Sequence, residues 1–416
     1  MPPYPHIRSL KVRNYKGVAT LDLALDESLT VLAGINGVGK TSILEALLGA
    51  VTKVWSRLAP TGQEAWFRPS GDLVRYGVRE GKITLEVVFG NDVQTTYNVS
   101  INPRLLDEED FYTSEVLSTL SKTISPMPLV VYYDQNRIGG LRSERYRSSS
   151  ATNRNAALDT TPDTLSDFKN WFFEKETDEA REAVERGDLE YADPEVTAVQ
   201  EVLKNIAGDS TVLRSRKPDG SMDRMLFLRK EGGLDIPFEA LSGGEQAYFL
   251  LAVDLARRLL LEFPGNTLAQ VPGLVCIDEI DLHLHPAWQR KILTSLMALF
   301  PRCQFVVSTH SPQVIGSVAA RHVRLLSSDG KGRVDATEPI ASKGRDSDYV
   351  LEGIMDTPEQ DPEVDDLFAQ FHRLVDAGEL EKADAVLDAL DELVEGKSSR
   401  VAVRRAKTGR LRRASE

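Results

Sequence analysis

The chain has 416 residues, of which 41% are hydrophobic and 27% charged, enough for a large core and more than one compact unit. A formal net charge of −13 excludes a protein coated in positive charge for nucleic-acid binding, though not one with a local basic groove. No run approaches the about 18–20 apolar residues of a membrane helix, and the start, MPPYPHIRSL, lacks the apolar core of a secretory signal.

In chain order, residues 6–34 read as strand, turn, strand, strand: IRSLKVRNYKG, ATLDLAL and SLTVLAG, the second with period-two alternation. TSILEALLGAVTKVW carries apolar residues at helical spacing without a breaker and predicts a helix. ITLEVVFG and QTTYNVSI predict an antiparallel pair around Asn91 and Asp92, and PLVVYYD a buried strand. Residues 139–164 are polar, basic and rich in Ser, Thr and Asn, which predicts a mobile loop. Helices are expected over about 165–186 and 194–207, then a strand pair near 222–238. Next come ALSGGEQAYFLLAVDLARRL, a strand GLVCIDEID, a helix over about 287–299 and a strand CQFVVSTH. Strands alternating with helices in the outer blocks imply an α/β core whose halves are separated in sequence. Cys276 and Cys303 lie in apolar strands, as reduced core thiols of a cytoplasmic protein would.

Three stretches carry chemistry. GINGVGKT, residues 34–41, follows the apolar run LTVLA and opens a helix, the context of a phosphate loop. Gly34, Gly37 and Gly39 let the backbone curl, so that amides over Gly34, Asn36, Gly37, Val38, Gly39, Lys40, Thr41 and Ser42 can face phosphates. Lys40 adds charge near the β and γ positions, and Thr41 a hydroxyl for Mg²⁺. LVCIDEIDLHLHP delivers Asp278 and Glu279 at the C-terminal end of a strand, where ligands of α/β sheets bind. There Asp278 can hold the Mg²⁺ shell while Glu279 orients and deprotonates water. FVVSTH brings His310 to the same edge, as a γ-phosphate contact. A second anion site lies at Ser242, Gly243, Gly244 and Glu245, where a helix begins on two glycines. His283 and His285 have a zinc-ligand spacing, but no third ligand cluster accompanies them.

GINGVGKT, LSGGEQ, CIDEID and the STH histidine, in that order, resemble the ATP-binding-cassette ATPase head. The resemblance implies an α/β head of two lobes, a mixed sheet around the phosphate loop, that binds and hydrolyses ATP with Mg²⁺. It further implies a head-to-head dimer in which Ser242, Gly243, Gly244 and Glu245 of one copy cap the nucleotide held by the other. It also implies a glutamine that contacts Mg²⁺ at the lobe boundary. Gln135 in VVYYDQNR is the candidate, with Asn136 and Arg137 as alternatives. The strand, NY turn and phosphate loop of the opening are similar to the SMC and RecF branch. DLHLHP and the downstream GRDSDYVLEGIM, residues 344–355, look most like stand-alone anti-phage defence ATPases, among them those of Septu and retron systems.

The organisation expected is an N-terminal lobe over 1–138, a basic loop and helical insertion over 139–221 and a C-terminal lobe over 222–340. A helical extension over 341–396 and a basic, disordered tail over 397–416 complete it. The spacing between YYDQNR and LSGGEQ leaves no room for a long coiled coil. LVEGK, residues 393–397, resembles the start of a Toprim nuclease motif, but no second acidic strand follows, so a nuclease effector would be a separate subunit. The acidic helices over 362–395 can pack back on the head or receive a partner. The tail RVAVRRAKTGRLRR can contact DNA or RNA, or bind the acidic helices before it. Two roles follow: gating of a separate nuclease in anti-phage defence, or RecF-like DNA repair.

Overall fold

The computed structural model describes residues 4–58, 67, 69, 72–89, 93–102, 105–108, 127–135, 157–158, 164–209, 211–218, 223–230, 232–345, 347, 350, 362–376, 378–393, 401, 404–406 and 408. In chain order its elements begin with β1 (His6–Tyr15), β2 (Val18–Ala24), β3 (Leu29–Ala33), α1 (Lys40–Leu58), β4 (Gly81–Phe89), β5 (Val93–Asn102), β6 (Leu105–Glu108) and β7 (Leu129–Tyr133). They continue with α2 (Thr164–Arg186), α3 (Pro194–Ala207), β8 (Val212–Arg216), β9 (Met225–Arg229), β10 (Asp235–Pro237), α4 (Gly243–Glu262) and β11 (Gly273–Ile277). The last are α5 (Pro286–Gln289), α6 (Ile292–Leu299), β12 (Cys303–Thr309), α7 (Pro312–Ile315), β13 (Val323–Ser328), β14 (Val334–Thr337), α8 (Pro362–Asp376) and α9 (Leu380–Leu393).

The chain divides into two units, 1–346 and 347–416. Unit 1 is α/β and its described residues form three sheets, ordered β2-β1-β4-β5-β6, β10-β9-β8 and β14-β13-β3-β12-β11-β7. In the third, β13, β3, β12, β11 and β7 run parallel and β14 closes an edge antiparallel. Its strands β3, β7, β11 and β12 are buried at every position, as a parallel sheet covered on both faces requires. The antiparallel β4 instead alternates buried and half-buried residues. α1 lies in a core it shares with both sheets: Ile43, Leu47 and Val51 cluster with Leu10 and Leu85 on one side and with Leu32, Cys276 and Val306 on the other. The side chain of Gln304 joins the layers. Its Oε1 accepts from Ile7 N (2.8 Å) and its Nε2 donates to Ile7 O (2.7 Å), where the pairing of β1 with β4 shifts register between Ile7 and Ser9.

Three expectations are corrected, and a fourth is for the most part not tested. The strand pair near 222–238 is a three-stranded sheet, because β8, within the span read as helical insertion, pairs with β9. The helix over 287–299 is two, α5 and α6, with Arg290 and Lys291 between them. The loop expected over 139–164 lies for the most part outside the described residues; within it Ala157 and Leu158 are buried and Ala157 O accepts from Tyr132 N (2.9 Å). The described tail residues Val401, Arg404–Ala406 and Thr408 are helical. GRDSDYVLEGIM falls for the most part outside the described residues, and Asn136 and Arg137 fall outside them altogether.

Unit 2 is built on the α8–α9 hairpin, broken at Gly378 as its position in the helical pattern predicts. Phe371, Leu387 and Leu390 form its core with Val401 of the tail. Arg405 reaches Asp388 (2.8 Å) and Asp391 (2.9 Å), Thr408 Oγ1 donates to Asp384 (2.8 Å), and the Arg404 guanidinium lies 4.3 Å from the Phe368 ring centre. The tail therefore does bind the acidic helices before it. Among the described residues of unit 1, the longest helix is α2, at 23 residues, well short of a coiled-coil arm.

Candidate nucleotide-binding and catalytic site

The parallel sheet sets the site. β3, β7, β11 and β12 end along one edge, and each is followed by a residue stretch singled out in the sequence. After β3, the loop from Gly34 curls into α1, with Gly37 and Gly39 at φ of 81° and 100°, backbone that any other residue would resist. Ile35, Asn36 and Gly37 face solvent, Val38 is anchored in the core, and Thr41 and Ser42 lie half-buried in the first turn of α1. That turn contains no acidic residue, so the helix end keeps its favourable potential for an anion.

Lys40 folds back over this loop. Its Nζ donates to Gly34 O (2.8 Å) and Ile35 O (3.1 Å) and lies 3.4 Å from His310 Nδ1. Burial lowers its pKa to about 8, against the opposing pull of Asp278, Glu279 and Asp281. Burial, and then the Lys40 charge, likewise lower the pKa of His310.

The carboxylates meet this lysine side from β11. Thr41 Oγ1 donates to Asp278 Oδ2 at 2.8 Å, and Asp278 is 1% exposed. From the end of β7, Gln135 Nε2 donates to Asp278 Oδ2 (3.3 Å) and Glu279 Oε1 (3.1 Å). His310 Nε2 stands 3.9 Å from Glu279 Oε1. Glu279 itself has φ 47°, a left-handed conformation that costs a non-glycine residue about 1–3 kcal/mol. The fold thus brings Lys40, Thr41, Gln135, Asp278, Glu279 and His310 into one constellation.

The donors at its centre are oxygens: the Thr41 hydroxyl, the Asp278 carboxylate and, with the amide turned over, Gln135 Oε1. Such a set fits Mg²⁺, which takes one or two carboxylates and completes its shell with substrate phosphate and water. No cluster of three or more His, Cys, Asp or Glu residues fit for a metal occurs among the described residues, so His283 and His285 have no partners there for a zinc site.

Ser242, Gly243, Gly244 and Glu245 sit elsewhere, at the start of α4, and their contacts are local. Ser242 caps the helix: its Oγ accepts from Glu245 N (3.3 Å), and Glu245 returns the bond to Ser242 N (3.1 Å). Lys230, at the end of β9, pairs with the same Glu245. Although burial pushes the Glu245 pKa up, these partners hold it below the usual value. At Gly244 the helix meets the loop after β11 so closely that a Cβ would lie 2.5 Å from His283 O.

One functional link went unread in the sequence. Asp254 of α4 is fully buried and bonds Arg257 (2.6 Å), Arg258 (2.5 Å) and the Tyr133 hydroxyl (2.9 Å). Burial alone would raise its pKa, but the two guanidinium groups hold it low. Tyr133 in turn accepts from Asp278 N through its backbone carbonyl (2.8 Å). The signal was present: an aspartate within an apolar helical run, followed at i+3 and i+4 by arginines.

A family model described as "AAA domain, putative AbiEii toxin, Type IV TA system" matches residues 29–316, from β3 through α7. The chain belongs to this AAA-domain family. The AAA-domain chain is 25% identical over 393 residues to the Septu protein PtuA of Bacillus thuringiensis, covering 90% of this chain and 91% of that one. It is 24% identical to the Retron Ec83 probable ATPase of Escherichia coli, covering 86% of this chain and 77% of that one. Among solved structures, the Smc head domain with a coiled coil and joint derived from Pyrococcus yayanosii aligns with a TM-score of 0.47 at 12% identity, covering 84% of this chain and 99% of that one.

Proposed function

We propose that the chain is a cytoplasmic, Mg²⁺-dependent ATPase that works as a nucleotide-sandwiched dimer and gates a separate nuclease in anti-phage defence. The observation that carries the ATPase reading is the meeting of a buried lysine, a hydroxyl, two adjacent carboxylates, an amide and an imidazole at one sheet edge. In this reading the loop amides from Gly34 to Ser42 and the Lys40 ammonium bind the β- and γ-phosphates. Thr41, Asp278 and Gln135 hold Mg²⁺, which when bound neutralises charge developing on the phosphates. Glu279 orients water and accepts its proton, and His310 contacts the γ-phosphate. Ser242, Gly243, Gly244 and Glu245 cap the partner copy's nucleotide.

No helix among the described residues is long and apolar enough to cross a membrane. The defence role is supported by similarity to Septu and retron proteins over most of the chain.

A Glu279→Gln protein keeps the side chain's size and removes the base. Its ATP turnover is expected to fall about 100- to 10,000-fold while ATP still binds. Turnover at the wild-type rate would reject Glu279 as the base. The same variant, tagged and isolated from native cells, tests the role: a nuclease subunit in fixed ratio is the expected outcome.

A second reading, a RecF-like DNA-acting ATPase of repair, is favoured by β8, where Arg214 and Arg216 are exposed two residues apart on one face. DNA-stimulated turnover with no nuclease in the complex would select it.

A further inference from the structure

The end of β12 grips the loop after β11 almost residue for residue. Ser308 O accepts from Ile280 N (3.0 Å), and Ser308 Oγ accepts from Glu279 N (2.8 Å) while donating to Asp278 Oδ1. Thr309 Oγ1 donates to Asp281 Oδ1 (2.5 Å). Ser308 and Thr309 are both 0% exposed, so water cannot replace either hydroxyl.

The Ser308 hydroxyl therefore makes two decisions at once. By accepting from the Glu279 amide it holds the backbone where Glu279 is left-handed, which is what turns that carboxylate toward Gln135 and His310. By occupying Asp278 Oδ1 it leaves Oδ2 as the oxygen that faces Thr41 and Gln135. A small apolar residue here would take the acceptor from a part-buried amide and leave the Asp278 carboxylate held from the Oδ2 side alone among these bonds.

We propose that Ser308 is a positioning residue for hydrolysis, setting the aim of both carboxylates through one hydroxyl without touching the nucleotide. The proposal rests on the reading of Glu279 as the base. Lys40 and the loop amides do not depend on Ser308, so nucleotide binding and hydrolysis separate in its variants.

The test compares Ser308→Ala, Ser308→Thr and Ser308→Val in the full chain, with Glu279→Gln in parallel. ATP affinity is measured calorimetrically without divalent metal, turnover with Mg²⁺, and melting temperature throughout. Thr and Val add the same bulk and differ in the hydroxyl, so their comparison holds even if either methyl group loosens the core. Ser308→Ala and Ser308→Val are expected to lose about 100-fold in turnover, as an ångström of misplacement does. Their ATP affinity should stay within about twofold of wild type, because the phosphate-binding groups are intact. Ser308→Thr should turn over well above Ser308→Val. Equal turnover for Thr and Val, or wild-type turnover for Ala, overturns the proposal while a dead Glu279→Gln leaves the base assignment standing. Wild-type turnover in Glu279→Gln removes the base assignment and the proposal with it.

Discussion

Lys40 is 6% exposed, and its lowered pKa of about 8 makes it a titrating group close to neutrality. In the proposed ATPase reading a bound triphosphate favours the charged ammonium, so nucleotide binding above about pH 8 takes up a proton. Affinity for ATP is therefore expected to fall as pH rises through about 8, with proton uptake visible when calorimetry is repeated in buffers of different ionisation enthalpy. The contribution to stability has the opposite sign. Below about pH 8 the folded protein bears the full cost of a buried charge, and between about 8 and the unfolded value of 10.5 the unfolded state binds more protons. In that window Lys40 adds to stability as pH rises. At this scale the sequence was most legible where chemistry imposes a spacing: Lys40, Thr41, Asp278, Glu279 and His310 came from motifs. Gln135 came only through a resemblance, and it does reach Asp278 and Glu279. Ser308 has no spacing signal, since a serine near a strand end is ordinary until the neighbouring loop is seen to lean on it.

At the scale of the element, α4 meets the strands and loops of the site at two places, through Asp254 with Tyr133 and through the close approach of Gly244 to His283. Its residues from Ala247 to Leu260 are buried without interruption, so the charged Asp254, Arg257 and Arg258 are tolerated only as a mutually satisfied set. Asp254→Ala removes the buried carboxylate that Arg257 and Arg258 share and is expected to cost about 3–5 kcal/mol in a urea denaturation experiment. Gly244→Ala acts at the other end of the helix. The added methyl must displace the backbone at His283, with an expected loss of about 1–3 kcal/mol. Helices and strands with a clear period were legible, α1, β4 and the α8–α9 hairpin among them. β8 was not, because VLRSR is short and polar and becomes a strand only by pairing with β9. The break between α5 and α6 was missed for a related reason: WQRKIL contains no glycine or proline to announce it.

At the scale of the molecule, a sandwich of two copies makes a prediction that no monomeric arrangement shares. A protein with Lys40→Ala and one with Ser242→Arg should each be inactive, yet their mixture should recover turnover. Each mixed dimer then has one intact composite site, so free exchange restores about a quarter of all sites. An inactive mixture would count against the dimer. In unit 2, the arginines Arg404 and Arg405 of the basic tail are engaged with Phe368 and with Asp388 and Asp391, so its charge is partly answered within the chain itself.

The strand order also bears on how the protein is made. β3 pairs with β12 through Ala33 and Thr309, and β7 pairs with β11 through Tyr133 and Ile277, so strands from one half of the chain lie between and beside strands from the other. A ribosome adding about 5–20 residues per second must pass residue 309 before β3 can find its place. Until β11 and β12 emerge, β7 and β3 respectively are apolar strands without those partners, in need of shelter from aggregation. Lys40 and Glu279 meet only when the sheet closes, so in the proposed reading the capacity to turn over nucleotide arrives late in synthesis and all at once.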